Sequence, residues 1–300
     1  MTNGLINIYK EKGFTSFDVV AVLRGIFGQR KIGHTGTLDP NAEGVLVVCL
    51  GNATKLCVML TDKKKAYVAT CMLGKRTDTL DITGEVLEEK PFKATEEEVR
   101  KAILSFVGGY DQIPPMYSAK KVNGKKLYDM ARSGAVIERK PVHVDIFNIE
   151  ILDMDLPNVT IQVSCGKGTY IRSLCEDIGA KCGELSVMTS LKRIAVNEFT
   201  VDNAYTLDDL KILKSENKLE KAVIPTDVVF SELRKATVLP EKRKLIDNGN
   251  KLLLTDTDID FSVNDSEELR IYNDEERFAG VYRYDQSEDM LKPFKMFIGE

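Results

Sequence analysis

Residues 33–50 read Gly33-His34-Thr35-Gly36-Thr37-Leu38-Asp39-Pro40-Asn41-Ala42-Glu43-Gly44-Val45-Leu46-Val47-Val48-Cys49-Leu50. The first part carries three glycines and an Asp-Pro step, which free the backbone for tight or left-handed geometry and start turns. Val45–Leu50 is apolar without a break, the pattern of a buried strand. Residues 29–44 therefore read as a loop that delivers the chain into that strand. Taken by itself, Asp39 starts a turn ahead of the strand, since most loop aspartates are solvated or turn-forming.

Outward from this stretch, strands and helices interleave. Gly4–Tyr9 is a short apolar strand. Thr15 or Ser16 can cap a helix whose Phe17, Val20, Leu23 and Phe27 follow helical spacing. Lys65–Leu73 alternates, with Tyr67, Ala69 and Cys71 on one face. Thr95 starts a helix with Val99, Ile103 and Phe106 inward. Val142–Leu152 and Val159–Cys165 read as two strands joined through Asp155-Leu156-Pro157-Asn158, a hairpin connection. Gly166–Thr169 then turns into a helix that begins near Tyr170. This is an α+β pattern. Composition shifts near residue 228: residues 252–290 hold twelve acids and three arginines, with short β-like runs at Leu269–Tyr272 and Phe278–Tyr284. Residues 230–300 are expected to form a small β-rich domain.

The chain has 300 residues, 43% of them hydrophobic, enough to bury a sizeable core. No apolar run approaches the roughly 18 residues of a membrane-spanning helix. Met1-Thr2-Asn3-Gly4 lacks the basic start of a signal peptide, so the expectation is a cytoplasmic protein without a membrane partner. The six cysteines form no Cys-x-x-Cys pair, and the two histidines, His34 and His143, stand far apart. A zinc site is not expected, and the absence of a phosphate loop gives no sign of a nucleotide cofactor. The formal net charge is −4, unevenly spread: residues 201–300 carry 15 basic and 22 acidic side chains. Residues 114–141 hold seven basic side chains against Asp129 and Glu138, and residues 55–76 hold six against Asp62. Two concentrated basic stretches in an acidic protein suit an anionic ligand met by one face.

Several blocks resemble, in order, the TruB family of tRNA pseudouridine synthases. They are Gly4–Ser16, the stretch 33–44 with its strand and Gly51-Asn52-Ala53-Thr54-Lys55, Gly74-Lys75-Arg76-Thr77-Asp78-Thr79-Leu80-Asp81, Pro114–Tyr128, Gly168-Thr169-Tyr170-Ile171-Arg172-Ser173-Leu174, and Leu191-Lys192-Arg193. Together they cover roughly residues 4–200. Ordered blocks are far more specific than one short motif. The resemblance implies a pseudouridine-synthase-like, mixed and largely antiparallel sheet with flanking helices over residues 1–229. It implies an RNA-gripping thumb at about 114–141 and a PUA-like domain at 230–300. The implied activity is conversion of uridine 55 in the T-loop of tRNA to pseudouridine, with no cofactor or metal. The tRNA T-stem-loop would be its partner, and a monomer with no protein partner its form.

The resemblance also implies residue roles. Asp39 becomes the catalytic carboxylate, which attacks the anomeric carbon or takes a ribose proton; sequence leaves both routes open. Arg172 becomes its pairing cation. Burial favours a protonated carboxyl, and a fixed guanidinium restores the charge and direction. Tyr67 would stack on the target base, with its hydroxyl a late proton acceptor. Tyr170 would line the pocket and Leu191 pack on the base. His34 would stand against RNA bases once the target is flipped out. Lys10 matches a family lysine, although Glu11 replaces the usual proline after it. Asp81 fits a polar binding position. Lys120, Lys121, Lys125 and Lys126 of the thumb would contact phosphates, which supplies affinity without reading sequence.

Overall fold

The computed structural model describes residues 1–118, 130, 137–298 and the backbone of a strand pair, Lys121–Val122 with Lys125–Lys126. A mixed sheet carries the first part of the chain. Its strands are β1 (Gly4–Lys10), β2 (Ile32–His34), β3 (Glu43–Leu50), β4 (Lys65–Leu73), β5 (Ile146–Asp155), β6 (Asn158–Cys165), β7 (Ser186–Val196) and β8 (Phe199–Thr200). The order is β1-β3-β7-β4-β6-β5, with β2 on β3 and β8 on β7. Every pairing is antiparallel except β3–β7, a short parallel contact of Glu43 with Lys192 and Gly44 with Arg193.

That parallel contact depends on one glycine. Gly44 has φ +105°, and a Cβ there would lie 2.2 Å from the Arg193 carbonyl oxygen. Only a residue without a Cβ lets the two backbones meet. The expected loop 29–44 is corrected here: β2 lies within it, pairing Ile32, Gly33 and His34 with Leu50, Cys49 and Val48. The edge of β3 opposite β1 is thus shared, β2 at one end and β7 at the other.

The helix α1 (Ser16–Phe27) opens with a capping box between Thr15 and Asp18, which satisfies free N–H groups of its first turn. Its inward stripe is Val19, Val20, Leu23 and Ile26 rather than the expected set. Ser16 is buried and its hydroxyl bonds both main-chain groups of Leu38. This fixes the rotation of the helix and turns Phe17 outward, 63% exposed, under the Arg24 guanidinium. The stripe packs with Ile6, Ile8, Leu46 and Val48, and with Leu207 and Leu210 of a later helix, Leu207–Ser215.

A second core lies across β4, β6 and β7. There α2 (Glu96–Leu104), capped by Thr95 and Glu98, and α3 (Ile171–Lys181) bury Val99, Ile103, Leu174, Cys175 and Ile178. Tyr67, Ala69 and Cys71 face this core, as the alternation of β4 predicts. The expected strand 142–152 is two strands. Val142–Val144 pairs with Tyr110–Gln112, while the chain from Ile146 joins the main sheet. The break falls at Asp145, whose carbonyl instead accepts from the Gly166 N–H.

Beyond residue 230, β9 (Arg234–Thr237), β10 (Leu252–Leu253), β11 (Glu268–Tyr272), β12 (Phe278–Asp285) and β13 (Met290–Met296) form a five-stranded sheet, order β9-β11-β12-β13-β10. It has its own core, including Ala236, Ile246, Leu269, Ile271 and Tyr282. Phe230, Val281 and Phe297 also pack on Leu5, Val45, Val47 and Cys49. With α1 behind Leu46 and Val48, β3 is covered on both faces, which explains its unbroken apolar run. Among the described residues, no helix is long and apolar enough to cross a membrane.

Candidate active site

The loop between β2 and β3 is held by its main chain. The Ser16 hydroxyl accepts from the Leu38 N–H at 2.9 Å, and Gly13 N–H donates to the Pro40 carbonyl at 2.8 Å. Lys10, with no exposed surface, donates its ammonium to the carbonyls of Glu11 (3.1 Å), Phe14 (2.6 Å) and Pro40 (3.3 Å). Burial pulls the Lys10 ammonium down to about 8, partly offset by the charge of Asp39. Arg193, equally buried, donates Nε to Val45 O at 2.7 Å and Nη2 to Gly36 O at 3.1 Å. The turn closes through Ala42 N–H on the Asp39 carbonyl.

Asp39 projects from this loop onto Arg172, in the first turn of α3. Nε lies 3.0 Å from Oδ2 and Nη2 lies 3.3 Å from Oδ1, a two-point guanidinium–carboxylate pair of the strong, directional kind. Arg172 is only 5% exposed and is aimed by two carbonyls, Thr79 (2.9 Å) and Tyr117 (2.8 Å). The Asp39 side chain keeps 37% of its surface open, so one side is fixed and the other is reachable. Burial lifts the Asp39 carboxyl above the ordinary aspartate value. Arg172 and Lys10 pull it down, and the charge of Asp81 pushes it up. Asp81 lies 3.8 Å from Arg172 Nη1. Its other oxygen accepts from Thr79, from the Thr83 N–H and from the Thr83 hydroxyl.

Beside the pair stands an apolar wall. Leu38, Ala42, Tyr67, Ile171 and Leu191 belong to one buried cluster. Tyr67 sits directly opposite Arg193 across β4 and β7. Burial raises its phenol, and contact with Arg193 partly counters that. Tyr170 is half-buried and occupies the N-cap of α3. His34, half-buried on β2, accepts at Nδ1 from the Gly36 N–H at 3.4 Å. Burial, then the charge of Arg193, lowers its basicity.

The sequence-predicted residues thus fall into groups. Asp39 and Asp81 each meet Arg172; Tyr67 and Leu191 share the wall; Tyr170 stands two residues before Arg172 in the chain. Lys10 lies beneath the loop, with its ammonium engaged by main-chain carbonyls. Lys120 lies outside the described residues, as do the side chains of Lys121, Lys125 and Lys126. Sequence reading missed Arg193, Gln112 and the whole strand β7. Arg193 was detectable in one respect: it shares the parity of Leu191, so an alternating strand turns both inward. Among the described residues, no three His, Cys, Asp or Glu side chains gather into a group that could hold a metal.

Comparison with known proteins identifies the family. Residues 24–171 match the profile described as "TruB family pseudouridylate synthase (N terminal domain)". Residues 172–231 match that of the "tRNA pseudouridylate synthase B C-terminal domain". The chain is 50% identical to tRNA pseudouridine synthase B of Lachnoclostridium phytofermentans, over 99% of this chain and 100% of that protein. It is 43% identical to the protein of the same name from Clostridium perfringens strain 13, over 95% of this chain and 96% of that one. The fold is also that of a solved Cbf5-Nop10-Gar1 complex. There the match has a TM-score of 0.71 at 23% identity and covers 98% of this chain and 84% of the other. With both profiles in sequence and relatives matched from end to end, the chain belongs to the TruB family of pseudouridine synthases.

Proposed function

We propose that this protein isomerises uridine 55 in the T-loop of tRNA to pseudouridine, with Asp39 as the catalytic carboxylate. The observation that carries the reading is the two-point Asp39–Arg172 pair, its arginine buried and its carboxylate partly open to solvent, in a chain of this family. In the reaction the glycosidic C–N bond breaks and a C–C bond forms, so carbon loses a proton and nitrogen gains one. A uridine stacked in an RNA loop must first be extruded. The wall of Tyr67, Leu38 and Leu191 offers it an apolar seat, with the Tyr67 ring against its π-face.

Arg172 keeps Asp39 ionised and directed despite burial. Asp39 then attacks the anomeric carbon or takes a ribose proton. The proton that leaves carbon at the end passes to the Tyr67 hydroxyl, which hands its own proton on to water as it takes the new one. Tyr170 lines the pocket, His34 meets the bases left behind, and Asp81 backs Arg172. Lys10 acts from beneath by fixing Pro40. Lys120, Lys121, Lys125 and Lys126 grip phosphates from the thumb at 114–141, an insertion in a catalytic unit of residues 1–229. Residues 230–300 form an appended PUA-like unit. The enzyme works as a monomer in the cytoplasm.

Pure protein incubated with an unmodified tRNA transcript, followed by pseudouridine mapping, tests the proposal. Product at uridine 55 is expected, and none with Asp39→Asn, while that variant still folds and binds tRNA. Full turnover by Asp39→Asn removes Asp39 from the mechanism. Binding by the wild type without product would make the protein an RNA-binding module instead.

A further inference from the structure

We infer that Gln112 is a positioning residue that sets the Arg172–Asp39 pair by fixing the first turn of α3. Gln112 ends the strand Tyr110–Gln112 and is 1% exposed. Its carboxamide spans both main-chain groups of Tyr170. Oε1 accepts from the Tyr170 N–H at 2.8 Å, and Nε2 donates to the Tyr170 carbonyl at 3.0 Å. The amide has one possible orientation, because a main-chain N–H only donates and a carbonyl only accepts. The remaining Nε2 hydrogen meets the Tyr110 hydroxyl at 2.6 Å, and that hydroxyl donates to Asp177 of α3 at 2.6 Å.

Tyr170 is the N-cap of α3, and its side chain makes no capping bond. A helix start without the usual Ser, Thr, Asp or Asn cap is free to fray. Here it is fixed from outside. Gln112 holds residue 170, and the neighbouring Ile113 carbonyl accepts from the Ser173 hydroxyl at 3.0 Å. Arg172 lies between the two anchors. A guanidinium that meets a carboxylate at two points tolerates little rotation of its backbone. Gln112 therefore acts on the reaction through Arg172 and touches no reacting atom.

The test is single-turnover kinetics at saturating tRNA, with RNA affinity measured separately. Gln112→Met keeps the volume and removes every hydrogen bond. Its rate constant should fall about 100-fold, the order expected when a catalytic group is displaced, with tRNA affinity within about threefold. In an Arg172→Lys background, which has already lost the two-point pair, the same change should cost under about fivefold, since coupled residues are not additive. Gln112→Glu keeps an acceptor for the Tyr170 N–H and should lose about tenfold; it carries the test by itself if Gln112→Met does not fold.

A full rate in the folded variant overturns the inference. So does a loss confined to affinity, or an equal loss in both backgrounds. The inference rests on the reading of Asp39 and Arg172 given above, and Asp39→Asn measured alongside separates the failures. An active Asp39→Asn enzyme sinks that reading; an inactive one beside a fully active Gln112 variant sinks only this inference.

Discussion

Asp39 combines two demands that oppose each other. In its proposed role its carboxyl must be ionised, yet its surroundings favour the protonated form and lift it above the ordinary aspartate value. The neighbours that decide the balance are named: Arg172 and Lys10 favour the charge, and Asp81 opposes it. If the ionised form carries the chemistry, the single-turnover rate should rise with pH through an acid limb above the reference value of 3.8. Asp81→Asn removes the opposing charge, so that limb should move down. A pH–rate profile of both enzymes checks this, and an upward move in the variant would contradict it. Asp39 was singled out because its loop is a contiguous run that resembles a family motif; from its own residues it read as the start of a turn. Gln112 was not, because its partner lies 58 residues away and nothing in either local sequence announces the meeting.

Among elements, legibility followed periodicity. The alternation of β4 gave its inward face, and the cap signals at Thr15 or Ser16 and at Thr95 gave two helix starts, the first of which Thr15 caps. The phase of α1 was misread because spacing alone cannot distinguish Phe17 from Val19 as the inward residue. The Ser16–Leu38 contact made that choice, and it comes from tertiary structure. The strand β2 was hidden by its glycine, and β7 by its mixed composition. The contact of β7 with β3 gives a direct prediction. In Gly44→Ala, a Cβ 2.2 Å from the Arg193 carbonyl at φ +105° forces the strands apart. Urea unfolding should show a loss of about 3 kcal/mol, with slower turnover from a displaced loop. Changing Lys120, Lys121, Lys125 and Lys126 to Gln tests the thumb. Affinity for tRNA should fall and its salt dependence flatten, while the rate at saturating RNA falls less. Unchanged affinity and slope would show that 114–141 is not the grip.

Over the whole molecule, charge and packing divide the labour differently. The surplus of acid lies in residues 201–300, which opposes phosphate contact there. Two arginines of that region are already engaged. Arg270 donates to the Leu233 carbonyl at 2.9 Å, and Arg283 pairs with Glu268 at 2.6 Å beside the Phe294 ring. Arg270→Gln and Arg283→Gln should therefore change tRNA affinity by less than about twofold, well below the loss expected for the thumb. A filter-binding comparison at fixed salt decides between them. What the last residues contribute is packing. Phe278 and Phe297 stack at 5.4 Å, and Phe297 lies in one cluster with Val47 of β3. The strand that leaves the Asp39 loop has its second face closed by residues some 250 positions further along the chain.

The grip on the Asp39 loop also makes it a natural site for engineering. Ser16, Gly13, Lys10 and Arg193 hold Leu38, Pro40 and Gly36 by their amides and carbonyls, groups that nearly every amino acid presents alike. At its exposed positions the path of the loop is thus largely independent of which side chains decorate it. Thr37 is exposed and two residues ahead of Asp39, so a photocrosslinker or a fluorinated side chain placed there would ride close to Asp39 without rerouting the chain that carries the carboxylate.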